Sequence, residues 1–106
     1  MAETLSRLEQ TIRSRKGADP SASYVAKLFA RGRPKIAQKL GEEAVEAVIA
    51  AMADDREELV KEAADLLFHL TVLLADMDVP LAEVLAELDR REGVSGIAEK
   101  AARPQK

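Results

Sequence analysis

Apolar residues recur at helical spacing along almost the whole chain. Leu5, Leu8 and Ile12 share one face of a segment over residues 4–15, with Thr4 as its candidate cap. Lys16–Ser21 (KGADPS) reads as a turn, and Asp19 or Ser21 is placed to cap a short helix over 22–30 that stops at Gly32. Pro34 suits the first turn of a third helix, where its missing N–H costs nothing, and that helix should run to about Ala53. Asp54–Asp55 breaks the pattern. Asp55 followed by Glu58 has capping-box spacing and opens a fourth helix to about Met77. Asp78–Val79–Pro80 ends it and introduces a fifth, Leu81–Arg91. Beyond Gly93, Ser95 and Gly96 the tail Ile97–Lys106 is a short helix or a frayed end. No segment alternates as a strand would. The fold class predicted is all-α, a four- to five-helix bundle forming one domain over 1–106, with 1–3 and about 97–106 flexible.

The third and fourth helices depart from an ordinary amphipathic pattern. Ile36, Ala37, Leu40, Ala44, Val45, Ala47, Val48, Ile49, Ala51 and Met52 cover more than half of the third helix. Lys35, Lys39, Glu42, Glu43 and Glu46 are left on a narrow strip. The fourth helix is wrapped by leucines in the same way, and Glu58, Glu62, Asp65, His69 and Asp76 lie in one strip. Helices apolar nearly all round belong in a bundle core or at a subunit interface. Gly41 inside the third helix suggests that another helix approaches closely there, unless it is tolerated drift.

The two strips contain EExxE (Glu42, Glu43, Glu46) and ExxD (Glu62, Asp65), separated by residues 47–61. Residues three apart on a helix are neighbours on one face. The gap accommodates a helix end, a turn and a helix start, so antiparallel packing makes the carboxylates converge. Crowded carboxylates repel one another and resist desolvation. A hard divalent cation, Mg²⁺ or Mn²⁺, resolves both difficulties. A lone ExxE pair is usually solvated, but two pairs on two otherwise apolar helices favour a metal site. Glu43, Glu46, Glu62 and Asp65 are the expected ligands. Glu42 diverges in direction from Glu43 by about 100° and fits a water-activating or supporting role better.

Lys27, Arg31, Arg33, Lys35 and Lys39 form a basic stretch ahead of the acids and are candidate phosphate ligands, with Lys39 the best placed. The competing reading is a solvated, charge-balancing surface. His69, one turn after Asp65, either meets substrate phosphate or supports a carboxylate, or is a buried histidine bonded to a neighbour. Tyr24, Leu28 and Phe29 are expected in the core rather than on a base-stacking platform.

Composition removes other chemistries. The 106 residues include no Cys, which excludes disulfides and thiolate metal sites. A net charge of −3 argues against a general nucleic-acid binder. No segment has the h-region of a signal peptide or the roughly 20 apolar residues that span a bilayer. A soluble cytoplasmic protein without membrane partners is expected.

EExxE followed by ExxD resembles the signature of the all-α nucleoside-triphosphate pyrophosphatases, the MazG-like superfamily. The segments SYVAKLFARGRPKIAQKLGEEAVEAVIAA (Ser23–Ala51), KEAADLLFHLTVLLAD (Lys61–Asp76) and LAEVLAELDRR (Leu81–Arg91) are similar to the phosphoribosyl-ATP pyrophosphatase family, and SGIAEKAAR (Ser95–Arg103) fits its ending. The resemblance implies Mg²⁺-dependent hydrolysis of phosphoribosyl-ATP to phosphoribosyl-AMP and pyrophosphate, in histidine biosynthesis, by a dimer. It maps the metal carboxylates onto Glu43, Glu46, Glu62 and Asp65, with Glu42 completing the motif. Phe68 stands where relatives often carry Tyr, and Val79–Pro80 lacks their hydroxyl cap. Two other readings remain at this point: a house-cleaning hydrolase of noncanonical nucleotides, and a non-enzymatic helical interaction module.

Overall fold

The computed structural model describes residues 2–93. The expected tail over 97–106 lies outside them, as does the SGIAEKAAR resemblance. Five helices follow in order: α1 (Ala2–Ser14), α2 (Tyr24–Arg31), α3 (Arg33–Met52), α4 (Arg56–Asp76) and α5 (Leu81–Arg91). There is no strand among the described residues, and the all-α expectation holds. Residues 2 and 3 belong to α1 rather than to a flexible end, which places Thr4 inside the helix. Its hydroxyl accepts from Arg7 instead of capping.

The helix ends follow local hydrogen-bond chemistry. Ser23, not Asp19 or Ser21, caps α2 by accepting from the Ala26 N–H at 3.2 Å. Asp19 is occupied in its own turn, where it accepts from both the backbone and the hydroxyl of Ser21. Asp55 caps α4 by accepting from Glu58 N–H at 3.0 Å. Asp54 and Asp78 carry positive φ at the ends of α3 and α4. Asp55 N–H reaches back to Ala50 O, and Val79 N–H to Leu74 O, which closes each helix with a Schellman-type bond.

The α3–α4 hairpin is the spine, joined through residues 53–55, with α1 packed on α4 and α2 on α3. The core gathers Ile12, Val25, Leu28, Ile36, Val72 and Ala75, with Leu8, Phe29, Phe68 and Leu73 against it. This places Leu28 and Phe29 as expected. All of it lies at the α2-proximal end of the hairpin. Lys16 fastens that end by donating to the Ala75 carbonyl at 3.0 Å and pairing with Asp78 at 3.2 Å, a cation at a helix C-terminus.

The distal half of the hairpin is bare. Val45, Val48, Ile49, Met52, Leu59, Val60 and Leu67 are exposed, Met52 by 83%. Within this chain, α3 and α4 are therefore not wrapped all round. Among the described residues nothing beyond its own stretch of α3 lies within 4 Å of a Cβ built at Gly41, so no described helix crosses there.

The missing cap of α5 is supplied from far away in sequence. Pro80 offers no side-chain bond, but Glu9 on α1 accepts from the Leu81 N–H at 2.6 Å while it pairs with Arg13. Removing an acidic cap of this kind costs about 1 kcal/mol. Glu9→Ala should lower the free energy of unfolding in urea by about that amount and speed hydrogen exchange at the Leu81 amide. Unchanged exchange there would show that the bond does not hold α5.

Candidate active site

Antiparallel α3 and α4 bring carboxylates from the two strips to one place. One oxygen from each of Glu43, Glu62 and Asp65 lies within 4.8 Å of the others. Glu43 and Glu62 are buried at 9% and 8% exposure, while Asp65 is open to solvent. Glu43 Oε2 and Glu62 Oε2 are buried and have no hydrogen-bond partner among the described residues. Buried carboxyl oxygens without a partner cost free energy unless a donor or a cation meets them. An all-carboxylate donor set with two unsatisfied buried oxygens suits a hard divalent cation.

Glu46 stands apart from this trio. It is exposed and close enough to Glu62 to bear on its proton, but not one of the three convergent groups. Glu46 and Glu62 line a cavity of about 290 Å³ with Asp55 and Glu58, toward the bare end of the hairpin. Glu43 and Asp65 line another, of about 380 Å³, with Tyr24, Lys39, Phe68 and His69. The carboxylates form a ridge between the two.

Crowding shows in the acid–base properties. The Glu43 carboxylate beside Glu62, then burial and Glu46, push Glu62 from the usual 4.5 up to about 8. Glu42 behaves oppositely. Its exposed carboxylate accepts from Gln38 at 2.9 Å and pairs with Lys39 at 3.3 Å, which holds it below the usual carboxylate range. The same contact raises Lys39. Glu42 thus points along α3 and away from the trio, and a carboxylate held ionised this way is a weak proton acceptor.

The predicted basic residues separate into two groups. Tyr24, Lys27, Leu28, Arg31, Lys35 and Lys39 enclose a small cavity of about 170 Å³. Arg33 is not among them. Two residues on a helix are turned by about 200°, and Arg33 instead donates to Asp76 at 2.7 Å. That bond also removes Asp76 from the acidic strip.

His69 is buried, at 4% exposure, with both ring nitrogens engaged. Nδ1 donates to the Asp65 carbonyl at 2.8 Å, so in the neutral ring Nε2 accepts from the Tyr24 hydroxyl at 3.1 Å. It supports its neighbours Tyr24 and Asp65 and lines the carboxylate cavity.

The residue that sequence reasoning misplaced is Tyr24. It is 50% exposed rather than in the core, and it borders both the acidic and the basic cavity. Phe68 stacks on it with centroids 6.1 Å apart, and His69 packs edge-on to both. The spacing of Tyr24, Lys27 and Arg31 already carried the signal, since i, i+3 and i+7 share a helix face.

The elevated Glu62 has a consequence for metal-free protein. Between 4.5 and about 8 the folded chain keeps a proton that the unfolded chain has released. Rising pH therefore favours unfolding across that window. In chelator, the melting temperature should fall as pH climbs from 4.5 through about 8, and Glu62→Gln should flatten that slope. Equal slopes in wild type and variant would refute the assignment.

Known proteins bear on this geometry. Residues 5–92 match the family model described as phosphoribosyl-ATP pyrophosphohydrolase. Proteins named phosphoribosyl-ATP pyrophosphatase are similar along nearly their full length. One from Rhizorhabdus wittichii is 72% identical over 105 residues, 99% of each chain. One from Novosphingobium aromaticivorans is 71% identical over 101 residues, 95% of this chain and 94% of the relative. One from Rhodobacter capsulatus is 69% identical over 99 residues, 93% and 96% respectively.

Proposed function

We propose that this chain, which belongs to the phosphoribosyl-ATP pyrophosphohydrolase family, works through the carboxylate ridge of α3 and α4. It hydrolyses phosphoribosyl-ATP to phosphoribosyl-AMP and pyrophosphate, a step of histidine biosynthesis. The observation that carries the site is the convergence of Glu43, Glu62 and Asp65 with two buried, unpartnered oxygens.

Glu43, Glu62 and Asp65 would hold Mg²⁺, or Mn²⁺ in its place, with Glu46 reaching the same ion or a neighbouring one from the far side of Glu62. The bound ion supplies Lewis-acid stabilisation of phosphate oxygens and a more acidic water. The chain's own residues bind and orient. Lys39, on the wall of the carboxylate cavity, meets phosphate oxygens of the substrate. Glu42 is a positioning residue that holds Lys39 over that cavity. His69 fixes the Tyr24 hydroxyl and so the ring that borders the entrance.

The exposed stripe on the distal hairpin supports a homodimer. Gly41, Val45, Val48 and Met52 recur at one-turn spacing on α3, facing solvent beside Val60 and Leu67 of α4. A glycine at the head of such a stripe admits a close partner helix. The substrate is a small nucleotide, and the site of action is the cytoplasm. No helix among the described residues is long and apolar enough to cross a membrane.

Glu43→Gln and Asp65→Asn should each lower the rate of pyrophosphate release from phosphoribosyl-ATP by at least about 100-fold at saturating Mg²⁺, more than disturbing a supporting group costs. Wild type should prefer phosphoribosyl-ATP over dUTP, dCTP and ATP, and lose activity in chelator. Near-normal turnover in either variant removes that residue from the ligand set, and a preference for dUTP would favour the house-cleaning reading.

Val48→Asp with Val60→Asp should convert the protein to monomer in light scattering on a sizing column. A wild-type monomer at micromolar concentration would refute the interface.

A further inference from the structure

The carboxylate ridge accounts for a triphosphate, but phosphoribosyl-ATP carries anionic groups at both ends. Its triphosphate sits on one ribose. A single phosphate sits on the second ribose, across the purine ring. ATP has the first and lacks the second. An enzyme that prefers phosphoribosyl-ATP therefore needs a second anion site at a distance from its metal carboxylates.

The cavity between α2 and α3 has the chemistry for it. Lys27 and Arg31 are one turn apart on α2, and Lys35 and Lys39 one turn apart on α3, so each helix offers a pair of cations to the same space. Lys39 is paired with Glu42, but Lys27, Arg31 and Lys35 have no ion-pair partner among the described residues. Glu42, which pairs with Lys39, also acts on Lys35; four cations around one space still repel one another, and an anion relieves that repulsion. The volume, about 170 Å³, is well under the roughly 300 Å³ at which pockets for whole drug-sized ligands begin. It suits a phosphate group rather than a nucleoside.

Its position matches the far end of the substrate. Lys39 and Lys35 precede Glu43 by one and two turns, about 6 and 12 Å along the α3 axis. Tyr24 and Lys39 form walls common to this cavity and to the one lined by Glu43 and Asp65. A ligand running from the carboxylates to the cations passes over the exposed Tyr24 ring, which Phe68 backs and His69 holds by its hydroxyl. A purine passing there meets an aromatic face.

We propose that the cavity walled by Lys27, Arg31 and Lys35 holds the monophosphate on the phosphoribosyl arm of phosphoribosyl-ATP, and so sets the preference for that substrate over ATP. The inference rests on the carboxylate ridge being the hydrolytic centre. It differs from a role in gripping the triphosphate, which would serve ATP equally.

Product inhibition separates the two. Phosphoribosyl-AMP keeps the arm phosphate, AMP lacks it, and pyrophosphate carries only the leaving group. With wild type, phosphoribosyl-AMP should inhibit turnover of phosphoribosyl-ATP more tightly than AMP does. In Lys27→Ala/Arg31→Ala, and separately in Lys35→Gln, the KM for phosphoribosyl-ATP should rise about tenfold or more, as for loss of a charge-assisted contact. Phosphoribosyl-AMP inhibition should weaken toward that of AMP, while inhibition by pyrophosphate with Mg²⁺ should stay within about twofold, a ΔΔG too small for a lost contact. Circular dichroism and melting temperature confirm that both variants fold. Weakened pyrophosphate inhibition, or an unchanged KM in both variants, would overturn the assignment while leaving the hydrolytic reading intact. No pyrophosphate release by wild type would overturn both.

Discussion

Mutual repulsion among carboxylates governs this structure. Glu43, Glu62 and Asp65 are forced together by the antiparallel run of α3 and α4, and two of them are buried. A bundle of this size has no need for such groups in its interior. Their cost shows in the proton that Glu62 retains to about 8 and in the two oxygens without partners. That cost is tolerable only because the rest of the fold fixes the two helices rigidly at their other end. A dication converts the same arrangement from a liability into the strongest local interaction available.

The division of labour along the hairpin follows. At the α2-proximal end, the core of Ile12, Val25, Leu28, Ile36 and Val72, with Lys16 across the end of α4, anchors the helices. The carboxylates occupy the middle. The distal half, from Val45 to Leu67, offers apolar side chains to solvent. Sequence periodicity alone registers such residues as interior, because an interface between copies and a core share one composition. The apolar wrapping of α3 and α4 allowed either a core or a subunit interface, and among the described residues the distal half is not core.

Much of the site was legible because its logic is local. EExxE and ExxD on successive helices specify which residues approach one another, and helix periodicity alone turns Glu42 away from Glu43 by about 100°. What escaped reading depends on contacts between distant residues. Arg33 looked like one more phosphate ligand until Asp76, at the end of α4, captured it. Glu46 has the spacing of a ligand and lies near Glu62, but its oxygens are not among the three groups that converge. Tyr24 is the exception, since its place on one face of α2 with Lys27 and Arg31 is a local feature. His69 was left between two roles, and its two hydrogen bonds identify it as the group that sets Tyr24.

The Glu9–Leu81 hydrogen bond joins the first and last described helices across 72 positions of the sequence. Neither α1 nor α5 contributes a side chain to the carboxylate ridge. The clasp couples α1 to α5, since melting of α1 takes away the acceptor that the Leu81 N–H has found among the described residues. Fraying at either terminus is thereby restrained by the opposite one, and the α3–α4 hairpin is spared a loose strap swinging beside it.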